Sequence, residues 1–116
     1  MRFLFVYAAV FLCVASAYSE TLITPSFVVI IVNNFEEGDV TSDDVTYVGV
    51  SRKNGSTIKI KGRTLHTMEA DGVTPNRFQG YVFEKDKVSY FVSSEGTLRV
   101  TSGKKVLVKE SGQWAD

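Results

Sequence analysis

Cysteine is almost missing. One occurs in 116 residues, Cys13, and it lies in the apolar run Phe3 to Ala15. The rest of the chain can form no disulfide and offers no thiol nucleophile. Histidine is equally scarce, with His66 alone. It stands with Glu69 and Asp71 as H-x-x-E-x-D, too loose a set for zinc, whose sites usually gather more His or Cys. A structural or solvated His66 is the expectation. No G-x-S-x-G nucleophile elbow occurs. Net charge is missing too: 13 acids balance 13 bases. No global field therefore draws the chain to nucleic acid or to a membrane surface.

What is present begins with a leader. Met1-Arg2 is basic, Phe3 to Ala15 is apolar, and Ala15-Ser16-Ala17 supplies small residues for cleavage. This is the pattern of a secretory signal peptide, and the run is too short to cross a bilayer as a helix. Leu12 before Cys13 speaks against lipid attachment, which wants a small residue there. Residues 1–17 are thus expected to be removed, leaving residues 18–116 as one domain without a membrane span. A chain of that size buries roughly two-thirds of its unfolded surface. Exported without disulfides, it depends on packing for stability.

Charge is unevenly placed. Residues 18–45 hold six acids and no base, and residues 46–116 hold seven acids and twelve bases. Glu36, Glu37, Asp39, Asp43 and Asp44 form an acidic loop that could collect calcium, but it lacks the D-x-D-x-D-G order of an EF-hand. A solvated turn is the expectation, and no metal or cofactor is predicted.

The segment from Phe78 to Lys109 alternates apolar and polar residues between Lys-Asp, Ser-Glu-Gly and Ser-Gly-Lys, which predicts four short strands. A three-residue loop, Ser94-Glu95-Gly96, sets Val92 opposite Leu98 and Tyr90 opposite Val100. A two-residue turn at Lys85-Asp86 pairs Phe83 with Val88 and Tyr81 with Tyr90. The inner face is then Tyr81, Phe83, Val88, Tyr90, Val92, Leu98 and Val100. In the last hairpin Val106 and Leu107 both compete for the inside. Upstream, SFVVIIV (26–32) is continuously apolar after Pro25, which predicts a central strand covered on both faces.

Val45 to Arg52 is predicted to pair with Ser56 to Lys61. A three-residue loop with Gly55 left-handed gives Val50–Ile58 and Val48–Ile60. Lys59, Lys61 and Arg63 then point outward together, with Tyr47 beside Lys61. These four residues are the candidate binding face, suited to the anionic groups of a polymer or protein. Guarding a sheet edge against aggregation is the plainer role for such lysines. Thr64 to Ala70 fits either a helical turn or a strand, and Val73 to Arg77 reads as loop. A loop-plus-hairpin pattern in 36–60 echoes in 69–92. Trp114 is expected to cap an open end of the fold or to lie exposed.

TYVGVSRKNGSTIKIKGRTLHTMEADGVTPNRFQGYVF (46–83) resembles small exported proteins of enteric bacteria, some prophage-associated, and the likeness extends through GTLRVTSGKKVLVKESGQW. The resemblance implies export and small size, with no activity or residue roles. It also implies cysteines near Phe35 and Ser42, and near Glu69 and Asn76, closing two loops. This sequence has none of the four.

Together these readings predict an all-β domain, a compact antiparallel barrel or sandwich of seven or eight strands. The expected function is that of a periplasmic or secreted, non-enzymatic binding or inhibitor-like module whose partner is a protein or acidic polymer. The alternatives are a surface-associated protein that oligomerises through SFVVIIV, and a small hydrolase using loop carboxylates.

Overall fold

A computed structural model describes residues 16–35 and 41–115. Nine antiparallel strands follow one another: β1 (Ser16–Ile23), β2 (Phe27–Phe35), β3 (Val45–Ser51), β4 (Thr57–Met68), β5 (Pro75–Lys85), β6 (Val88–Ser93), β7 (Thr97–Ser102), β8 (Lys105–Ser111) and β9 (Gln113–Ala115). Each neighbours the next in the sheet, except that β9 pairs with β1. The chain is an all-β, nearly closed meander barrel, as its alternating pattern predicts.

Closure depends on a single handover. β8 pairs with β7, and after Gly112 the same run continues as β9 along β1, with Trp114 opposite Leu22. Gly112 donates its N–H to the Gly96 carbonyl at 2.8 Å. A Cβ at Gly112 would lie 2.2 Å from the Ile23 carbonyl oxygen, so only glycine lets the backbones approach this closely. Nearby, Ser26 donates its N–H to the Glu110 carboxylate (3.0 Å), and the Arg52 guanidinium donates to the Thr24 carbonyl (2.8 Å). Trp114 is half-buried and donates Nε1–H to the Ser94 carbonyl. It closes the seam from inside.

The core holds Leu22, Val29, Ile31, Val45, Tyr47, Ile60, Tyr81, Phe83, Val92, Leu98 and Val100, with Val88 and Tyr90 packed against it. The predicted inner face of the β5–β7 meander is therefore inside. Val92 faces Leu98 and Tyr90 faces Val100, and Gly96 takes the left-handed conformation.

Other expectations are corrected. The β5–β6 turn is Asp86-Lys87, both at positive φ, so Phe83 faces Tyr90 and Tyr81 faces Val92. This shift of two residues leaves every side chain on its predicted face. The β3–β4 hairpin slips by one, which turns β3 over while β4 keeps its predicted faces. Its loop has four residues, Arg52 to Gly55, with Gly55 N–H donating to the Ser51 carbonyl. Ile60 therefore opposes Tyr47, and Ile58 opposes Gly49. Burying Val45 and the large Tyr47 ring outweighs burying Val48 and Val50.

SFVVIIV is central, between β1 and β3, but is not covered on both faces. Val29 and Ile31 are buried, whereas Val28, Ile30 and Val32 lie half-exposed outside. Thr64 to Met68 continues β4 as strand, and Pro75 opens β5, where its missing donor is tolerated. Neither Val106 nor Leu107 enters the core; both are exposed, beside a register shift at Val100/Thr101. β1 and β9 raise the strand count above the predicted seven or eight. Of the expected leader, Ser16 and Ala17 lie in β1 and pair with Phe35 and Asn34 of β2 respectively, and the remainder lies outside the described residues. So do Glu36, Glu37 and Asp39 of the acidic loop.

Candidate binding surfaces

On β4, alternate residues point outward, and Lys59, Lys61 and Arg63 are exposed on one face as predicted. Tyr47 is not among them. It is 2 % exposed, with its ring between those of Phe83 (5.2 Å) and Tyr90 (5.3 Å). Burial pushes its hydroxyl pKa far up. Thr46 lies across from Lys61 in its place.

The three basic residues are not equivalent. Lys61 pairs with Asp44 at 2.9 Å, and that hydrogen bond, with the lysine's charge, holds the Asp44 carboxyl below its usual range. Arg63 borders a shallow hollow with Thr41, Ser42, Asp43 and Thr64. The hollow is shaped by Thr64, whose Oγ1 accepts from Ser42 N–H at 2.9 Å.

The cross-strand register reveals a longer feature that strand-by-strand reading misses. Arg63 opposes Val82, Val82 opposes Phe91, Phe91 opposes Arg99, and Arg99 opposes Lys109. This one row crosses β4 to β8 on the outside of the barrel. Arg63, Arg99 and Lys109 are exposed, and the apolar pair between them is half-exposed. With strands about 4.8 Å apart, the row runs roughly 19 Å. It contains no acid. The correct β6–β7 register, legible from Ser94-Glu95-Gly96, would have linked Phe91 to Arg99. Extending the row to Arg63 needed the β5 turn placed correctly.

Glu20 is the residue most clearly missed. It faces the interior of β1 and is half-buried. Its carboxylate accepts from the Tyr81 hydroxyl at 2.7 Å and from Tyr18 at 3.1 Å. Burial, then the bond to Glu20, pushes Tyr81 upward; the Glu20 charge does the same to Tyr18. The Tyr81 ring meets Phe78 edge-on at 5.1 Å, and Phe78 in turn meets His66 at 5.4 Å. His66 is half-buried, and its Nδ1 has no partner among the described residues. Sequence patterning had no signal here, because β1 spans the boundary of the expected leader.

Among the described residues no three His, Cys, Asp or Glu side chains gather where a metal could be held. Asp71 spends its carboxylate locally, accepting from the Thr74 hydroxyl at 2.6 Å and from the Val73 and Thr74 N–H groups. No family model matches the chain, and no curated protein or solved structure matches it.

Proposed function

We propose that this chain is an exported, non-enzymatic binding module whose outer face, from Arg63 through Arg99 to Lys109, holds an extended acidic polymer such as a sulfated or uronic-acid polysaccharide. The observation that carries this reading is the acid-free row of three cations across five strands, interrupted only by Val82 and Phe91. Carrying the cations on one hydrogen-bonded sheet spares a rearrangement of the backbone on binding, which lowers its entropic cost. The row lies on the outside of the barrel and runs across adjacent strands, suiting a chain laid across it. Lys59 lies two outward positions along β4 from Arg63, off the row, and Lys61 contributes little because it is paired with Asp44.

Retention on a heparin column tests the assignment. The Arg63→Glu/Arg99→Glu/Lys109→Glu variant is expected to elute at much lower salt than wild type, because exposed charge pairs are strongly screened. Lys61→Ala is expected to elute almost unchanged. Wild-type retention by the triple variant would sink the proposal.

A further inference from the structure

Past Arg63 the basic row runs into a recess. On one side of β4 lies β5, with Arg63 opposite Val82. On the other side lie residues 41–44, the segment that leads into β3, and Thr64 N–H donates to the Ser42 carbonyl at 2.8 Å. Thr41, Ser42, Asp43, Arg63 and Thr64 line the hollow, of about 330 Å³. That is the small end of the roughly 300–1,000 Å³ of ligand pockets, room for one small ring.

The wall is tied down by contacts within the protein. Thr64 Oγ1 accepts from Ser42 N–H at 2.9 Å and donates to the Ser42 carbonyl at 3.2 Å. Asn34 N–H donates to the Asp44 carbonyl at 3.0 Å, and the Asp44 carboxylate takes Lys61. These contacts occupy Thr64 and Asp44 but not Asp43. Among the described residues, Asp43 and Arg63 line the same hollow without pairing to each other or to another charge. An acid and a base that share a recess yet stay apart leave room for a molecule offering each its complement.

The lining narrows the chemistry of that molecule. A guanidinium matches a planar carboxylate in bidentate geometry. An ionised carboxylate such as Asp43 only accepts, so it requires a donor from the ligand. Thr41 and Ser42 add hydroxyls that can donate or accept. A sugar acid carries both parts, a carboxylate and neighbouring free hydroxyls, on one ring. Sulfate esters in place of those hydroxyls remove the donors and set further negative charge against Asp43.

We propose that this hollow seats one uronic-acid residue of the polymer, its carboxylate on Arg63 and its ring hydroxyls on Asp43, Thr41 and Ser42. The assignment rests on the outer row as the polymer's track, and it selects a polyuronate over a sulfated chain.

Asp43→Asn gives the test its sign. Asp43 is exposed and outside any strand, so this replacement spares the fold. On a surface that only attracts charge, deleting an acid strengthens or leaves unchanged the binding of any polyanion. Here it is expected to weaken tetragalacturonate, an unsulfated polyuronate, by about three- to tenfold, as for one lost hydrogen bond. Dextran sulfate is expected to bind the variant as tightly as wild type or tighter. In the wild-type protein, tetragalacturonate is expected to shift the backbone amide NMR signals of residues 41–44 and 63–64 saturably. Unchanged or raised tetragalacturonate affinity in Asp43→Asn, shifts confined to other residues, or no saturation by about 10 mM would each overturn the assignment. The two readings fail separately. Arg99→Glu/Lys109→Glu, beginning three strands away, reports on the row through dextran sulfate, whereas Asp43→Asn reports on the hollow through tetragalacturonate.

Discussion

Gly62 shows how far one side chain's absence shapes the interior. A Cβ there would sit 2.1 Å from the Val82 carbonyl oxygen and 2.4 Å from the Phe83 ring. Its lack of a side chain lets β5 close over β4 and seats Phe83, which is fully buried. Gly62→Ala is expected to destabilise the fold by about 2–3 kcal/mol, the range for overpacking a tight core, measurable as a lower urea midpoint. Tyr47 teaches a related lesson. An aromatic residue across a hairpin from a lysine row looked like part of a binding face. Size decided otherwise, since the large ring does more inside the core than the smaller Val48 or Val50.

Hairpins were the most legible elements, to the extent that a single glycine dictated the turn. Ser94-Glu95-Gly96 allows few loops, and its register was readable to the residue. At Lys53-Asn54-Gly55 the loop is one residue longer than the three predicted, and local composition cannot rank the two lengths; the core on the other side of β3 does. The Asp86-Lys87 turn left no glycine to mark it. Lys87 adopts φ 67°, a region that costs a residue with a Cβ roughly 1–2 kcal/mol. Lys87→Gly is expected to raise stability by about 0.5–1 kcal/mol, after allowing for the entropy glycine gains when unfolded. A denaturation midpoint unchanged or lower would show that the turn is not strained. The candidate face was half-legible for the same reason: Lys59, Lys61 and Arg63 lie on one strand, whereas Arg99 and Lys109 join them only through three further registers.

At the scale of the whole molecule, the fold class followed from alternation and turn spacing. Closure did not, because β1 lies at the edge of the expected leader and β9 is three residues long. The assembled barrel also sets a pH profile. Burial raises the pKa of Tyr47, Tyr81 and Tyr90, and the Glu20 charge raises that of Tyr18. Groups with raised folded values stabilise fully below their unfolded pKa of about 10 and lose that contribution as pH rises through the folded values. Stability to urea is therefore expected to fall above about pH 10, with phenolate absorbance lagging behind that of the denatured protein. At the acid end, hydrogen bonds lower Asp44 and Asp71. In Glu110 burial opposes this, but the bonds, led by Ser26, prevail. These contributions exist above the unfolded carboxyl range near pH 4 and fade as pH drops through the folded values.

Because β9 lies alongside β1, the first and last described strands are neighbours, with Ala115 across from Thr21. A short polar linker from Ala115 to Tyr18 would make the backbone a ring, and a new opening at the exposed Gly103-Lys104 tip would leave the hydrogen-bonded circuit whole. The order in which the strands are written along the chain is thus separable from the cylinder they form.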